Sequence, residues 1–267
     1  MRFQLIALDL DGTLMGESRI IPERTRRAMQ TAMDGGCRVT VSTGRAFATA
    51  SRFAQDLGIN APLICYQGAL IQDLRDGTII HKVTIPPDVA RQVAAFAQAR
   101  QLNFQVLMED NRAYTDRVKS VADPLLGRSG MPVTAVGDLA AWLDRPPFKF
   151  LFTEQPEAMP ELVHDLQAQF DDRVRVTQSL DHLVEVTAPE ASKGQALARL
   201  AAHLGVAQSA TMAIGDHDND VSMIAWAGLG VAMGNASSAA KAAADVIAPS
   251  LDEEGAAWAI ERYVLEG

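Results

Sequence analysis

The chain has 267 residues, 48% hydrophobic and 21% charged, the balance of an ordinary globular protein with room for one large domain or two smaller ones. A formal net charge of -9 argues against a dedicated nucleic-acid or anionic-membrane binder, yet allows a small anionic substrate in a locally positive site. Two cysteines, Cys37 and Cys65, are too few for a disulfide scaffold and stand in no metal-ligand spacing, so both read as small buried residues in strands.

In chain order, QLIALDL (4–10) reads as a continuous apolar strand of the kind buried on both faces of a parallel sheet. Pro22 opens a helix where its missing N–H costs nothing, and Gly35-Gly36 closes it. CRVTVST (37–43) is a β-branched strand, followed by a helix in AFATASRFAQDLG (46–58) with Phe47, Ala50, Ala54 and Leu57 on one face. PLICY (62–66) makes a third strand, so this part predicts βαβαβ and a parallel sheet. ALIQDLRDGTIIHKV (69–83) holds two short strands around Asp76-Gly77, a hairpin signal.

The pattern then changes. A helix starts at Pro86-Pro87, with Val89, Val93, Phe96 and Ala97 at helical spacing. FQVLMED (104–110) and RAYT (112–115) are strands, prolines cluster at 124, 132, 146 and 147, and FKFLFTE (148–154) is another strand. MPELVHDLQAQF (159–170) is a helix, and VRVTQ (174–178) and HLVEVTA (182–188) form a closing strand pair. Alternation resumes after Pro189: helix SKGQALARLAAHLG (192–205) with Leu197, Leu200, Ala201 and Leu204 as its buried stripe, strand TMAIGD, helix NDVSMIAWAG, strand LGVAM, helix ASSAAKAAAD. The predicted fold class is α/β: a Rossmann-like, doubly wound parallel sheet core made of 1–83 and 188–267, with an inserted α+β domain at 84–187.

The apolar run at the N-terminus is cut by Asp9 and Asp11, too short for a signal-peptide core, and no run approaches roughly 18 apolar residues. The expected location is the cytoplasm, with no membrane and no nucleic-acid partner. Nothing in the sequence marks an oligomeric interface. GLGVAMG (228–234) has its third glycine one place late for a dinucleotide loop. Asn235-Ala236-Ser237 matches a glycosylation acceptor that a chain without a secretion signal does not use.

Ligands of open parallel sheets bind outside the carboxyl ends of the strands, and polar clusters fall there. One strand ends in Asp9-Leu10-Asp11-Gly12-Thr13, the next in Ser42-Thr43-Gly44-Arg45, and TMAI in Gly215-Asp216-His217-Asp218-Asn219-Asp220. If these strands are neighbours, Asp9, Asp11, Asp216 and Asp220 converge. Gathered carboxylates repel unless a cation sits among them, and an all-oxygen donor set favours magnesium over zinc. A lysine at Lys193, starting the first helix after the insertion, can neutralise phosphate charge, while Thr43 and Gly44 offer a hydroxyl and an N–H to a phosphate oxygen.

DLDGTL (9–14), STGR (42–45), SKG (192–194) and GDHDND (215–220) together resemble the four ordered motifs of the haloacid dehalogenase superfamily. The insertion between the second and third motifs is similar to the large α+β cap of its Cof-type phosphatases. The resemblance implies a magnesium-dependent phosphatase acting on small phosphorylated metabolites such as sugar phosphates. It makes Asp9 the nucleophile that forms an aspartyl-phosphate and Asp11 the general acid and base. Magnesium would be held by Asp9, the Asp11 carbonyl and Asp216, with Asp220 behind them. Leu10 (through its N–H), Thr43, Gly44, Lys193 and Asn219 would contact the phosphoryl group. Apart from the resemblance, Arg45 and Tyr66 are core-side candidates for contact with the substrate. Two positions depart from the family. Gln67 replaces the Asn of its Asn-Gly-Ala loop and carries no assigned role, and His217 replaces a small residue and reads as a partly exposed loop histidine. Two alternatives stand beside this reading. One is a phosphomutase of the phosphomannomutase type, needing a second phosphate site among scattered basic residues such as Arg112, Arg117, Lys119, Arg128 and Lys149. The other is a non-catalytic phosphate-ligand binding protein.

Overall fold

The structure is a computed structural model in which residues 2–117 and 131–266 are described. The fold is α/β. Its contacts divide the chain into two compact units, Met1–Gly44 with Ala50–Lys82 and Ser192–Gly267, and Arg45–Thr49 with Val83–Ala191. Pro124 of the proline cluster lies outside the described residues.

The first unit begins with β1 (Leu5–Leu8), α1 (Glu23–Asp34), β2 (Arg38–Val41) and α2 (Phe47–Asp56). Pro22 is the residue before α1, with φ -59, and the helix ends at Gly35. Then come β3 (Leu63–Cys65), β4 (Leu70–Gln72) and β5 (Ile79–Lys82), an antiparallel set turning through Gly77. The second unit runs through α3 (Pro87–Ala99), β6 (Asn103–Leu107), β7 (Ala113–Thr115), β8 (Val133–Ala135), α4 (Leu139–Trp142), β9 (Lys149–Thr153), α5 (Met159–Phe170), β10 (Arg175–Leu180) and β11 (Leu183–Thr187). The chain returns to the first unit with α6 (Lys193–Leu204), β12 (Thr211–Gly215), α7 (Val221–Trp226), β13 (Leu229–Ala232), α8 (Ser238–Ala243), β14 (Val246–Ile247) and α9 (Gly255–Ile260).

Among the described residues, the parallel sheet of the first unit has the order β14-β13-β12-β1-β2. All four residues of β1 are buried. Leu5 and Ala7 pack with Leu197, Leu200 and Met223 of α6 and α7, so by strand periodicity Ile6 and Leu8 face the opposite side. A strand covered on both faces needs an unbroken apolar run, which is what this sequence supplies.

PLICY departs from the predicted βαβαβ ladder. β3 meets β2 at a single parallel bridge, Ser42 with Ile64, where Thr43 donates its N–H to the Ile64 carbonyl at 2.9 Å. Along the rest of that edge side chains replace the strand. Asn60 accepts from Val39 N at 2.8 Å and donates to Cys37 O at 3.0 Å. Thr40 Oγ1 donates to Pro62 O at 2.6 Å, and Pro62 itself has no N–H to offer a ladder.

The second unit has a sheet ordered β10-β11-β9-β6-β7-β8, antiparallel except for the β7–β8 pair. One face of this sheet carries Phe104, Val106, Phe150, Phe152, Val184 and Val186, which pack with α3 and α5. Phe104 and Phe152 lie stacked with ring centroids 5.9 Å apart. On the opposite parity of the same strands, Lys149 and Glu185 form a buried ion pair.

Candidate active site

Three loops of the first unit meet at the carboxyl end of its parallel sheet. β1 delivers Asp9 immediately after its last residue, and Asp9 N donates to Ile214 O of the neighbouring β12 at 3.0 Å. The adjacent β12 delivers Asp216, so two strands far apart in sequence set both carboxylates side by side. The carboxylate oxygens of Asp9, Asp216 and Asp220 lie within 4.8 Å of one another, and all three residues are buried.

Lys193 enters this cluster from the first turn of α6. Its Nζ lies 2.6 Å from Asp9 Oδ1 and 2.5 Å from Asp220 Oδ1, and its side chain has no exposure. The second oxygen of Asp220 accepts from the N–H groups of Asp216 at 2.9 Å and His217 at 3.0 Å. Asp220 is therefore occupied with protein donors: it holds the lysine and the Asp216 loop. Asp216 Oδ1 accepts from the Thr13 hydroxyl at 2.6 Å, a contact the sequence reading did not contain.

The turn after β1 is built by Gly12. Its N–H donates to Met15 O at 2.8 Å, and the Leu10 carbonyl accepts from Leu14 N at 3.0 Å and Met15 N at 2.9 Å. Gly12 has φ +91, and a Cβ there would stand 2.2 Å from Asp216 Oδ2, so only glycine lets the turn lie against that carboxylate. Asn235 fastens the turn from outside, donating to Gly12 O at 2.9 Å while accepting from Leu251 N at 2.8 Å. The glycosylation-like tripeptide thus contains a structural residue. Asp11 is exposed, and its carboxylate stands outside the buried cluster. The chain bends at Leu10, which breaks the two-residue strand period relating Asp9 to Asp11.

Charge in this cluster is unbalanced: three buried carboxylates face one lysine. Burial holds the Asp9 carboxyl well above the usual range; Lys193 opposes this, and Asp220, Asp216 and Asp11 add to it. The Asp216 carboxyl is pushed up to about 7 by burial and then by Asp220, against the pull of the Thr13 hydroxyl and Lys193. Burial pulls Lys193 down, but Asp220 and Asp9 outweigh it and leave the ammonium held above its ordinary value. An all-oxygen set that is short of positive charge fits a hard divalent cation.

Thr43 is buried, with its carbonyl accepting from Gln67 N at 3.1 Å, and Gly44 follows it. Asn219 Nδ2 donates to Gln67 Oε1 at 3.1 Å, so Gln67 belongs to this network although it had been given no role. Tyr66 is buried beside it, and His217 is half-buried. Arg45 falls in Arg45–Thr49, grouped with the second unit. Of the basic residues scattered through the insertion, Lys149 is paired with Glu185, Arg117 with Asp116, and Arg112 is exposed. Lys119 and Arg128 lie outside the described residues.

The carboxyl end of this parallel sheet thus gathers three buried carboxylates and a lysine into a polar site that fits a divalent cation. Residues 6–260 match the haloacid dehalogenase-like hydrolases, and the chain belongs to that family. It is 31% identical to a 5-amino-6-(5-phospho-D-ribitylamino)uracil phosphatase, YcsE of Bacillus subtilis, over 98% of this chain and 96% of that protein. It is 29% identical to the chloroplastic endoribonuclease YBEY of Arabidopsis thaliana, but there 98% of this chain spans only 47% of the relative. The solved structure of the subclass IIB sugar phosphatase BT4131 superposes with a TM-score of 0.81 at 25% identity, covering 97% of this chain and 98% of that one. Among the described residues, no helix is long and apolar enough to cross a membrane.

Proposed function

We propose that this hydrolase is a magnesium-dependent phosphatase that removes phosphate from small phosphorylated metabolites through an aspartyl-phosphate on Asp9. The observation that carries the reading is the buried Lys193 bridging Asp9 and Asp220 beside Asp216. A lysine with no exposure, fixed on a carboxylate at a strand end, supplies positive charge where an anionic substrate must meet an anionic nucleophile.

In this reading Asp9 attacks phosphorus, and the P–O bond to the leaving alcohol breaks. Asp11, exposed beside it, gives that alcohol its proton and then takes one from the water that hydrolyses the acyl phosphate, which regenerates Asp9. Lys193, Thr43, Gly44, Leu10 N–H and Asn219 hold the phosphoryl oxygens. Asp220 positions Lys193, and Thr13 orients Asp216. Asp9, the Asp11 carbonyl and Asp216 would hold magnesium, which supplies Lewis-acid neutralisation of phosphoryl charge. Residues 84–187 are taken as the cap domain that sets substrate choice, with Arg45 contributing on the substrate side. The named activities of YcsE and BT4131 favour a phosphate ester on a sugar or sugar-derived chain.

The test is phosphate release from a panel of phosphorylated sugars and related metabolites with magnesium. Activity should vanish with a chelator, and Asp9→Asn should fall by on the order of 10³-fold or more in kcat while circular dichroism stays native. Full activity in Asp9→Asn would sink the covalent route. An isomerised sugar phosphate without free phosphate would make the protein a mutase, and phosphate binding without turnover a binding protein.

A further inference from the structure

The turn Tyr66-Gln67-Gly68 is unusual in three ways at once. All three residues have positive φ, at 51, 59 and 95°. For the two residues that are not glycine this is strained backbone. The turn is also buried, with Gln67 at 4% exposure. And it touches the Thr43 loop, the Asn219 loop and the start of α6. Gln67 N donates to Thr43 O at 3.1 Å, Gln67 Oε1 accepts from Asn219 Nδ2 at 3.1 Å, and Gly68 lies so close to α6 that a Cβ would stand 2.3 Å from Ser192 O, next to Lys193. Strain of this kind persists where the surroundings over-determine it, commonly at functional sites.

We infer that Gln67 is a positioning residue that orients the Asn219 amide toward the phosphoryl group and ties that amide to the Thr43 loop. This rests on the phosphatase reading above. A side-chain amide has two chemically distinct ends, and a phosphate oxygen accepts only from the N–H end. Gln67 Oε1 is an acceptor, so it selects the Nδ2 end of Asn219 for its own side of the amide. That nitrogen carries two hydrogens: one is committed to Gln67, and the second remains for a phosphoryl oxygen. Without Gln67 the amide can rotate by half a turn and present Oδ1, which repels phosphate. Asn219 Oδ1 has no hydrogen-bond partner among the described residues, so the bond to Gln67 is what sets the orientation of this amide there. The backbone bond from Gln67 to Thr43 makes one residue the link between the second and fourth motifs.

The test is a double-mutant cycle with Gln67→Met, similar in length but without the amide, and Asn219→Ala. The readouts are kcat and KM with magnesium and competitive inhibition by inorganic phosphate. Gln67→Met alone should weaken kcat/KM and phosphate inhibition by about tenfold, the worth of one hydrogen bond to a charged group. In the Asn219→Ala background the same change should cost less than about twofold, because its effect runs through Asn219. Equal losses in both backgrounds, or no loss from Gln67→Met, overturn the inference and leave the phosphatase reading intact. No loss from Asn219→Ala overturns instead the phosphate-contacting role given to Asn219, and the inference with it. If Gln67→Met does not fold, Gln67→Asn serves the same cycle. Asn tolerates positive φ and keeps the amide, but it is one methylene too short for the 3.1 Å contact.

Discussion

Lys193 concentrates the chemistry of the site in one side chain. It is buried with two carboxylate partners, and among the described residues neither partner pairs with another cation. Burying charge is favourable only when the pairing is complete, and removing one member leaves the others desolvated and uncompensated. Lys193→Met should therefore cost about 3–5 kcal/mol of stability, seen as a lower urea midpoint, and should abolish phosphate release in whatever protein still folds. Unchanged stability would mean that Asp9 and Asp220 find a proton or another donor. The converse holds for Asp9 itself: its loss still leaves Asp220 to hold the ammonium, which is why Asp9→Asn is expected to remain folded. Asp9, Asp216 and Lys193 were legible in the sequence because each sits at a strand end or helix start inside a dense polar motif. Thr13 and Asn235 were not. Their partners lie 203 and 223 residues away, and no local spacing announces a bond of that kind.

At the scale of elements, continuous apolar runs and amphipathic stripes were readable wherever burial is one-sided or complete. α5 occupies the stretch from Met159 to Phe170 that its pattern indicated, and Val89, Val93 and Ala97 of α3 are buried as their spacing required. The elements that escaped were β8 and β14, with three and two residues, and the four-residue α4, which rests on Asp138 accepting from Ala141 N at 3.1 Å. Elements so short show no period. α9 escaped as well: it follows a turn in which Glu253 accepts from both Ser250 N and Ser250 Oγ, a device of local hydrogen bonding. The third strand forms at Leu63–Cys65 but joins β4 instead of continuing the parallel ladder. Asn60 occupies the edge of β2 with its own amide, and a side chain that imitates a strand carries no strand signal. Its removal is a clean probe of that edge. Asn60→Ala strands the Val39 N–H and the Cys37 carbonyl and should lower stability by about 1–3 kcal/mol by chemical denaturation. Phosphate release per folded molecule should stay unchanged; a matched loss of activity would show that the edge of β2 governs the Thr43 loop.

For the whole molecule, the imbalance of charge at the sheet end predicts how stability depends on pH and metal. Asp216, at about 7 in the folded chain against 3.8 for an ordinary aspartate, keeps a proton over that interval which the unfolded chain has released. The folded state binds more protons there, so this stabilising contribution is complete below about pH 4 and is lost as pH rises through about 7. Asp9 acts in the same direction. Thermal midpoints of chelator-treated protein should carry this fall between about pH 5 and 7.5, and Asp216→Asn should flatten it. Magnesium at a hundredfold its Kd should raise stability by about 2.7 kcal/mol at neutral pH, and less in the variant. A midpoint that climbs through neutrality without metal, by the same amount in wild type and variant, would show that Asp216 is ionised throughout. The order of strands also has a consequence in time. β1 sits between β2 and β12, and 184 residues separate Asp9 from Lys193. At about 5–20 residues per second, a ribosome needs on the order of 10–40 s to deliver the lysine after the aspartate. Throughout that interval β1 has one edge unpaired and Asp9 has no counter-charge, while residues 84–187 have time to fold around their own core. Synthesis thus finishes the buried charge cluster late, and a nascent chain interrupted before α6 carries the proposed nucleophile, Asp9, without its lysine.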